Sequence, residues 1–302
     1  MKRLIFNLLF LILMIQTMSS TISAAKYALL VGINISNTRY TDDFENLNMA
    51  VSEVINVSSL LRKNEWEIEV LTNDNATKEK IVDKLQTKTN HLISTDVFLF
   101  YFSGHGIELK SSLKKFTGKK FDSEESGIET TGSDTVTIYQ KALINANKNL
   151  GCNFGLFPYQ NNEESGSDIL LADELISHLN KFDCTKIIVI IDACYSGNFN
   201  EIRKISLEYS SSKIKTGFYS LTGLFRTYDG LIGRYLIEAL EGAANSCGSF
   251  GNRDKYISFY EAVTYTSQKV MEIQKKNHEE IFNIRFMIVA NEPLNLIQIR
   301  EE

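Results

Sequence analysis

Two stretches of this chain are apolar at every position: Val97–Phe102 reads VFLFYF and Ile187–Ile191 reads IIVII. A strand with one face in water alternates apolar and polar residues, whereas one covered on both faces has no polar side. These runs therefore require a sheet buried between two layers. Tyr27–Val31 (YALLV), closed by Gly32, is a third run of the same kind. The segments between them have helical spacing. Leu47, Ala50, Val51, Val54, Val57 and Leu61 predict one amphipathic helix; Ile81, Leu85 and Leu92 within Thr77–Leu92 predict a second, and a third falls around Asp173–Leu179. Trp66–Leu71 (WEIEVL) alternates as a strand does and ends in a turn at Asn73-Asp74-Asn75. Buried strands alternating with helices predict an α/β fold, with a parallel sheet and helices on both faces.

The rest of the chain is less regular. Gly106 to Ser167 is rich in Gly, Ser, Asn, Glu and Lys without a sustained period, which predicts a long insertion over about residues 107–167. Residues 198–216 form a second irregular segment, with Arg203, Lys204, Lys213 and Lys215 around a Ser210–Ser212 run. Beyond it, Leu231, Tyr235, Leu236 and Leu240 predict a helix. Ser258-Phe259-Tyr260-Glu261 is a capping box opening a helix that carries Val263, Val270 and Ile273, and Arg285–Ala290 reads as a final strand. No repeat and no Pro/Gly linker divides the chain, so one domain is expected over residues 26–302.

The first 25 residues stand apart. Lys2 and Arg3 precede the apolar run Leu4–Ile15, broken only by Asn7, and a polar stretch then ends in Ser23-Ala24-Ala25. Basic, apolar, then small is the order of a secretory signal peptide, so the chain is expected to be exported. The apolar run is shorter than the roughly 20 residues that span a bilayer, and no later one is long enough, so no stable membrane span is expected. With 32 Lys and Arg against 37 Asp and Glu the net charge is −5; without the leader, 302 − 25 = 277 residues carry −7. An acidic chain lacks the basic footprint that sequence-independent nucleic-acid binding needs.

Two strand ends carry chemistry. Functional groups in a parallel α/β sheet gather beyond the carboxyl ends of the strands. VFLFYF runs into Ser103-Gly104-His105-Gly106, and IIVII into Asp192-Ala193-Cys194-Tyr195-Ser196-Gly197. Glycines on both sides leave the His105 ring unshielded and let a substrate backbone approach. If the two strands are neighbours, imidazole and thiol project into one crevice. A thiol of pKa about 8.5 is mostly protonated at neutral pH, and an adjacent imidazole raises its thiolate fraction or protonates a leaving amine. The amides of Gly106 and Cys194 are candidates for receiving a developing oxyanion. Taken singly, a cysteine after a strand is a small core residue and a histidine a satisfied side chain. The two together, at matched strand ends, point to nucleophilic catalysis.

FSGHG (Phe102–Gly106) and DACYSG (Asp192–Gly197) resemble the motifs of the caspase-like superfamily of cysteine peptidases, and most closely those of metacaspases and bacterial caspase-like proteins. The resemblance extends from Tyr27 to the helix near Val270. It implies a caspase–hemoglobinase fold, a three-layer sandwich around a mainly parallel six-stranded sheet. It also implies a Cys/His dyad acting on polypeptide substrates, with Cys194 as nucleophile and His105 as general acid/base. True caspases carry Gln two positions before the nucleophile. Asp192 stands there, as in metacaspases, which prefer Arg or Lys before the scissile bond. The metacaspase pattern Leu-x-Gly-Cys-x-Asn-Asp is matched by Leu47-Asn48-Met49-Ala50-Val51-Ser52-Glu53, which keeps a carboxylate at Glu53 and replaces the family's Cys by Ala50. Ser103 matches a serine of the metacaspase pocket. Asp192, Glu53 and Ser103 are thus the expected substrate pocket, its two carboxylates selecting a cation. Glu53 reads equally as a solvated acid on a helix face. Arg39, after the first strand, argues the other way, for an acidic substrate.

Many metacaspases need calcium, and Asp122, Glu124, Glu125, Glu129, Asp134 and Glu201 offer hard oxygen ligands here. Their spacing matches no defined ligand loop, so the sequence requires no cofactor and leaves calcium activation as an option. Residues 198–216 fall where caspase-like zymogens are often cut, and their basic residues suit self-processing; a solvated loop is the plain alternative. Cys152, Cys184 and Cys247 leave room for one disulfide, and no CxxC or His/Cys metal spacing occurs. The leading expectation is an exported cysteine endopeptidase cleaving after Arg or Lys. The alternatives are an Asp-specific peptidase on the same fold and a catalytically degenerate caspase-like scaffold or binding module. A flavodoxin-like nucleotide-binding domain would need a glycine-rich phosphate loop, for which Gly104-His105-Gly106 is too short.

Overall fold

A computed structural model of the chain describes residues 24–35, 46–108, 154–156, 158–159, 169–184, 186–194, 196, 217–223, 230–248, 250–277, 284–290 and 294–299. All but the last two residues of the expected leader, most of the insertion and the whole of 198–216 lie outside the described residues. In chain order the elements are β1 (Lys26–Gly32), α1 (Ala50–Arg62), β2 (Trp66–Thr72), α2 (Lys78–Thr89), β3 (Val97–Ser103), β4 (Gly106–Glu108), β5 (Phe154–Leu156), β6 (Leu170–Leu171) and α3 (Ala172–Asn180). They continue with β7 (Lys186–Asp192), β8 (Gly217–Gly223), α4 (Leu231–Glu238), β9 (Tyr256–Ser258), α5 (Phe259–Asn277), β10 (Ile284–Ala290) and β11 (Asn295–Gln298).

The main sheet has the order β10-β8-β7-β3-β1-β2. The β2–β1, β1–β3, β3–β7 and β7–β8 pairs are parallel, and β10 joins β8 antiparallel. Successive side chains of a strand point to opposite faces, and the three apolar runs divide accordingly between two cores. Leu29 and Val31 of β1, Phe98, Phe100 and Phe102 of β3, and Ile187, Val189 and Ile191 of β7 pack with Ile81 and Leu85 of α2 and with Leu175, Ile176 and Leu179 of α3. Ala28 and Leu30, Leu99 and Tyr101, and Ile188 and Ile190 pack on the other face with Val54 and Leu61 of α1, Ile232 and Leu236 of α4, and Ala262 and Val263 of α5. This double coverage is the reason the runs contain no polar position, and the expected α/β class and parallel sheet are what forms.

Helix starts are fixed by named hydrogen bonds. Thr77 Oγ1 accepts the Lys80 amide at 3.3 Å, the cap position just before α2. At α5 the capping box closes as the sequence predicts. The Glu261 amide donates to Ser258 Oγ at 3.2 Å, and the Ser258 amide donates to Glu261 Oε2 at 2.9 Å. For α1 the sequence shows no local cap. The Val51 amide donates instead to Asn34 Oδ1 at 2.9 Å, a residue brought from the end of β1.

Several elements were not expected. The insertion is not structureless at its ends: β4 and β5 pair there, and β6 completes a small antiparallel sheet. β9 pairs with β11 in a further two-stranded sheet, and β8 was not anticipated either. Among the described residues no helix is long and apolar enough to cross a membrane.

Candidate active site

The site follows from strand register. β3 and β7 run side by side, residue against residue, and their last pair is Ser103 with Asp192. The Gly104 amide donates to the Asp192 carbonyl at 3.1 Å and carries the pairing one step past the sheet. His105 lies two residues beyond Ser103, and Cys194 two beyond Asp192, both half-buried. Neighbouring parallel strands ending in register thus bring the two turns to the same level.

The turns also touch. A Cβ added at Gly106 would fall on the Cys194 carbonyl oxygen and stand 3.1 Å from the Ala193 Cβ, so only glycine allows this approach. The chain at Cys194 is folded back by Ser196. Its amide donates to the Ala193 carbonyl at 3.4 Å, and its hydroxyl donates to the Ile191 carbonyl at 3.2 Å. Cys194 therefore sits in a closed turn at the carboxyl end of β7, beside the glycine that follows His105.

A second group is buried just below. Glu53 in the first turn of α1 is 1% exposed, Ser103 3% and Asp192 5%, so Glu53 is not a solvated acid of a helix face. The Ser103 hydroxyl donates to Glu53 Oε2 at 2.8 Å. The Gly233 amide donates to Asp192 Oδ2 at 2.9 Å. Gly233 lies in the first turn of α4, where backbone N–H groups have no partner inside the helix and favour negative charge. The same residue meets the other carboxylate. A Cβ at 233 would stand 2.5 Å from Glu53 Oε1 and closer still to Cδ and Oε2. Glycine lowers helix stability by about 1 kcal/mol relative to alanine, so its presence inside α4 has this contact as its reason. Gly230, the residue before α4, has φ +77° and also faces Glu53 Oε1, at 2.6 Å from where its Cβ would be.

Tyr101 completes the group. It is fully buried on the α1 and α4 face of the sheet. Burial first, then the charges of Glu53 and Asp192, hold its phenol well above its ordinary pKa, with Ser103 acting weakly the other way. The cluster is therefore two carboxylates, a serine and a neutral tyrosine under the first turn of α4.

The structure thus sets the turn that carries His105 against the turn that carries Cys194, and gathers Glu53, Ser103 and Asp192 into one buried group. Tyr101, Gly230 and Gly233 were missed. Tyr101 counted as one apolar letter of VFLFYF, and Gly233 gave the one available signal, since a glycine inside a helical pattern has a packing or functional reason. Arg39, Asp122, Glu124, Glu125, Glu129, Asp134 and Glu201 lie outside the described residues, as do Cys152 and the basic residues of 198–216. Among the described residues no three His, Cys, Asp or Glu side chains group as a metal site. Cys184 belongs to the core under α2 and α3, and Cys247 packs against the opposite core, so the sheet separates these two sulfurs.

A family model described as Caspase domain matches residues 25–281. Among solved structures, the crystal structure of protein GSU0716 from Geobacter sulfurreducens is similar, with 13% identity and a TM-score of 0.50 over 89% of this chain and 94% of that one. At that identity the likeness is one of fold. No curated protein matches the sequence.

Proposed function

This chain belongs to the caspase-domain family, and we propose that it acts as a cysteine endopeptidase in which Cys194 and His105 form the catalytic pair and Arg or Lys precedes the scissile bond. The observation that carries the reading is the shared register of β3 and β7, which ends both strands at one level and sets His105 and Cys194 at equal offsets from the Ser103–Asp192 pair. His105 takes the proton of the Cys194 thiol, and the thiolate attacks the carbonyl carbon of the scissile peptide. The amides of Gly106 and Cys194 receive the oxyanion. His105 then protonates the departing amine, leaving an acyl-enzyme on Cys194 that water hydrolyses, with His105 as the base.

Selectivity for a cation draws on Asp192 and Glu53. Both carboxylates lie at the carboxyl edge of the sheet: Asp192 ends β7 and Glu53 accepts the hydroxyl of Ser103, two residues before His105. Buried carboxylates attract a guanidinium or ammonium more strongly than solvated ones, because little water screens them. No step runs through calcium, since the acids considered for it lie outside the described residues.

The test is turnover of peptide amides ending in Arg, Lys, Asn or Asp, with calcium and with chelator, beside Cys194→Ala. Turnover of Arg and Lys substrates that disappears in the variant is the expected result. Turnover only after Asp would overturn the basic pocket, and none under any condition would favour a binding module. Self-processing in 198–216 and export through the leader are part of the same reading. Intact masses after incubation should differ between the unmodified chain and Cys194→Ala, and secreted protein should begin at residue 26. Equal masses remove the first, and a retained leader removes the second.

A further inference from the structure

We propose that Gly233 is a positioning residue for substrate selectivity, matched in size to Glu53, so that the two positions work only as a pair. The inference rests on the pocket reading above and extends it to a residue on α4 that no motif marks. Three observations meet at this point. The Gly233 amide holds Asp192 Oδ2 at 2.9 Å, which fixes one carboxylate. The missing Gly233 side chain makes room for the other, because any Cβ there would overlap the Glu53 carboxylate. Ser103 holds that same carboxylate at Oε2 from the sheet side at 2.8 Å. Glu53 therefore cannot retreat toward β3 when something is added at 233; its carboxylate must leave its place or α4 must lift.

Departure of Glu53 breaks its hydrogen bond with Ser103, and lifting of α4 disturbs both carboxylates at once, since the amide on Asp192 and the space for Glu53 belong to one residue. Aspartate at position 53 is shorter by one methylene and withdraws its carboxylate from α4. A methyl group gained at 233 and a methylene lost at 53 are thus complementary changes.

The experiment compares the unmodified chain with Gly233→Ala, Glu53→Asp and the double variant. Two rates are measured on each over a pH range: turnover of a peptide amide ending in Arg, and alkylation of Cys194 by iodoacetamide, an uncharged reagent that needs no pocket. Gly233→Ala should lower kcat/KM by about 10-fold or more, mainly through KM, with the alkylation profile unchanged. The double variant should recover to within about 3-fold of the unmodified chain, beyond what two independent losses allow. Losses that simply multiply would overturn the proposal, and so would a Gly233→Ala defect that appears equally in alkylation. If the unmodified chain turns over no basic substrate, the pocket reading falls, while the pairing is still read from thermal unfolding. A double variant melting above Gly233→Ala then supports the pairing, and one melting at or below it overturns the proposal. Should Gly233→Ala not fold, recovery of folded protein in the double variant has the same meaning, and failure to recover it is the overturning result.

Discussion

Within the β3–β7 ladder, the pairs from Phe98–Ile187 to Phe102–Ile191 and the final pair, Ser103–Asp192, are made of opposite materials. The former are apolar against apolar and gain their stability from volume and area, so a side chain of similar size serves as well. The latter is held by specific hydrogen bonds: Ser103 with Glu53, Asp192 with Gly233. A single residue along the strand separates a region that tolerates exchange from one that does not. The turns just beyond make a third condition, in which His105 and Cys194 are half-buried and, on the function proposed above, contribute reactivity more than stability.

The sharpest break between these regions is expected from Cys194→Ala. Turnover should fall by about 10⁴-fold or more while the melting temperature stays put; a variant that retains turnover would place the nucleophile elsewhere. Phe100→Ala should do the reverse. It removes a fully buried ring and lowers stability by about 3–5 kcal/mol, measurable by denaturant unfolding. Asp192→Ala leaves the Gly233 amide without its acceptor and should lose about 1–3 kcal/mol. Asp192→Asn keeps an acceptor and should lose clearly less; equal losses would mean that charge, not the hydrogen bond, holds α4 down.

The smallest effect belongs to Tyr101, apolar by packing and polar by its neighbours. Its phenol is held neutral in the folded chain well above its ordinary pKa, whereas in the unfolded chain it ionises near its usual value of about 10. The stability this group contributes is whole below about pH 10 and is lost as the pH rises above it. Tyr101→Phe should therefore change unfolding by less than about 1 kcal/mol at neutral pH and flatten the alkaline decline. An unchanged decline would mean that ionisation of Tyr101 does not set it.

The same contrast explains what could be read from the sequence. The apolar strands and the periodic helices were legible because burial on both faces imposes a composition on every residue of VFLFYF and IIVII. The capping box at Ser258–Glu261 was legible because both partners are local. The Asn34 cap on α1 was not, since Asn34 and Val51 are separated along the chain and meet only through the fold. β4, β5 and β9 hold three residues each, too short to show a period. His105 and Cys194 stood out as a candidate pair through the glycines and strand ends around them. The Gly233–Glu53 contact left one sign in the sequence, a glycine within a helical pattern, and an absent side chain does not name its partner.

The ladder between β7 and β8 has one more consequence. It pairs Lys186–Ile191 with Gly217–Thr222, and residues 198–216 lie between those two strands in the chain. A molecule cut once in that interval would be two polypeptides, inseparable on a native column and distinct under denaturant. One would bring both acids together with His105 and Cys194, the other Gly233, whose amide holds Asp192 and whose missing side chain leaves room for Glu53. Expressed separately, neither half would be expected to discriminate among substrates; mixed, they should regain selectivity in step with reassociation.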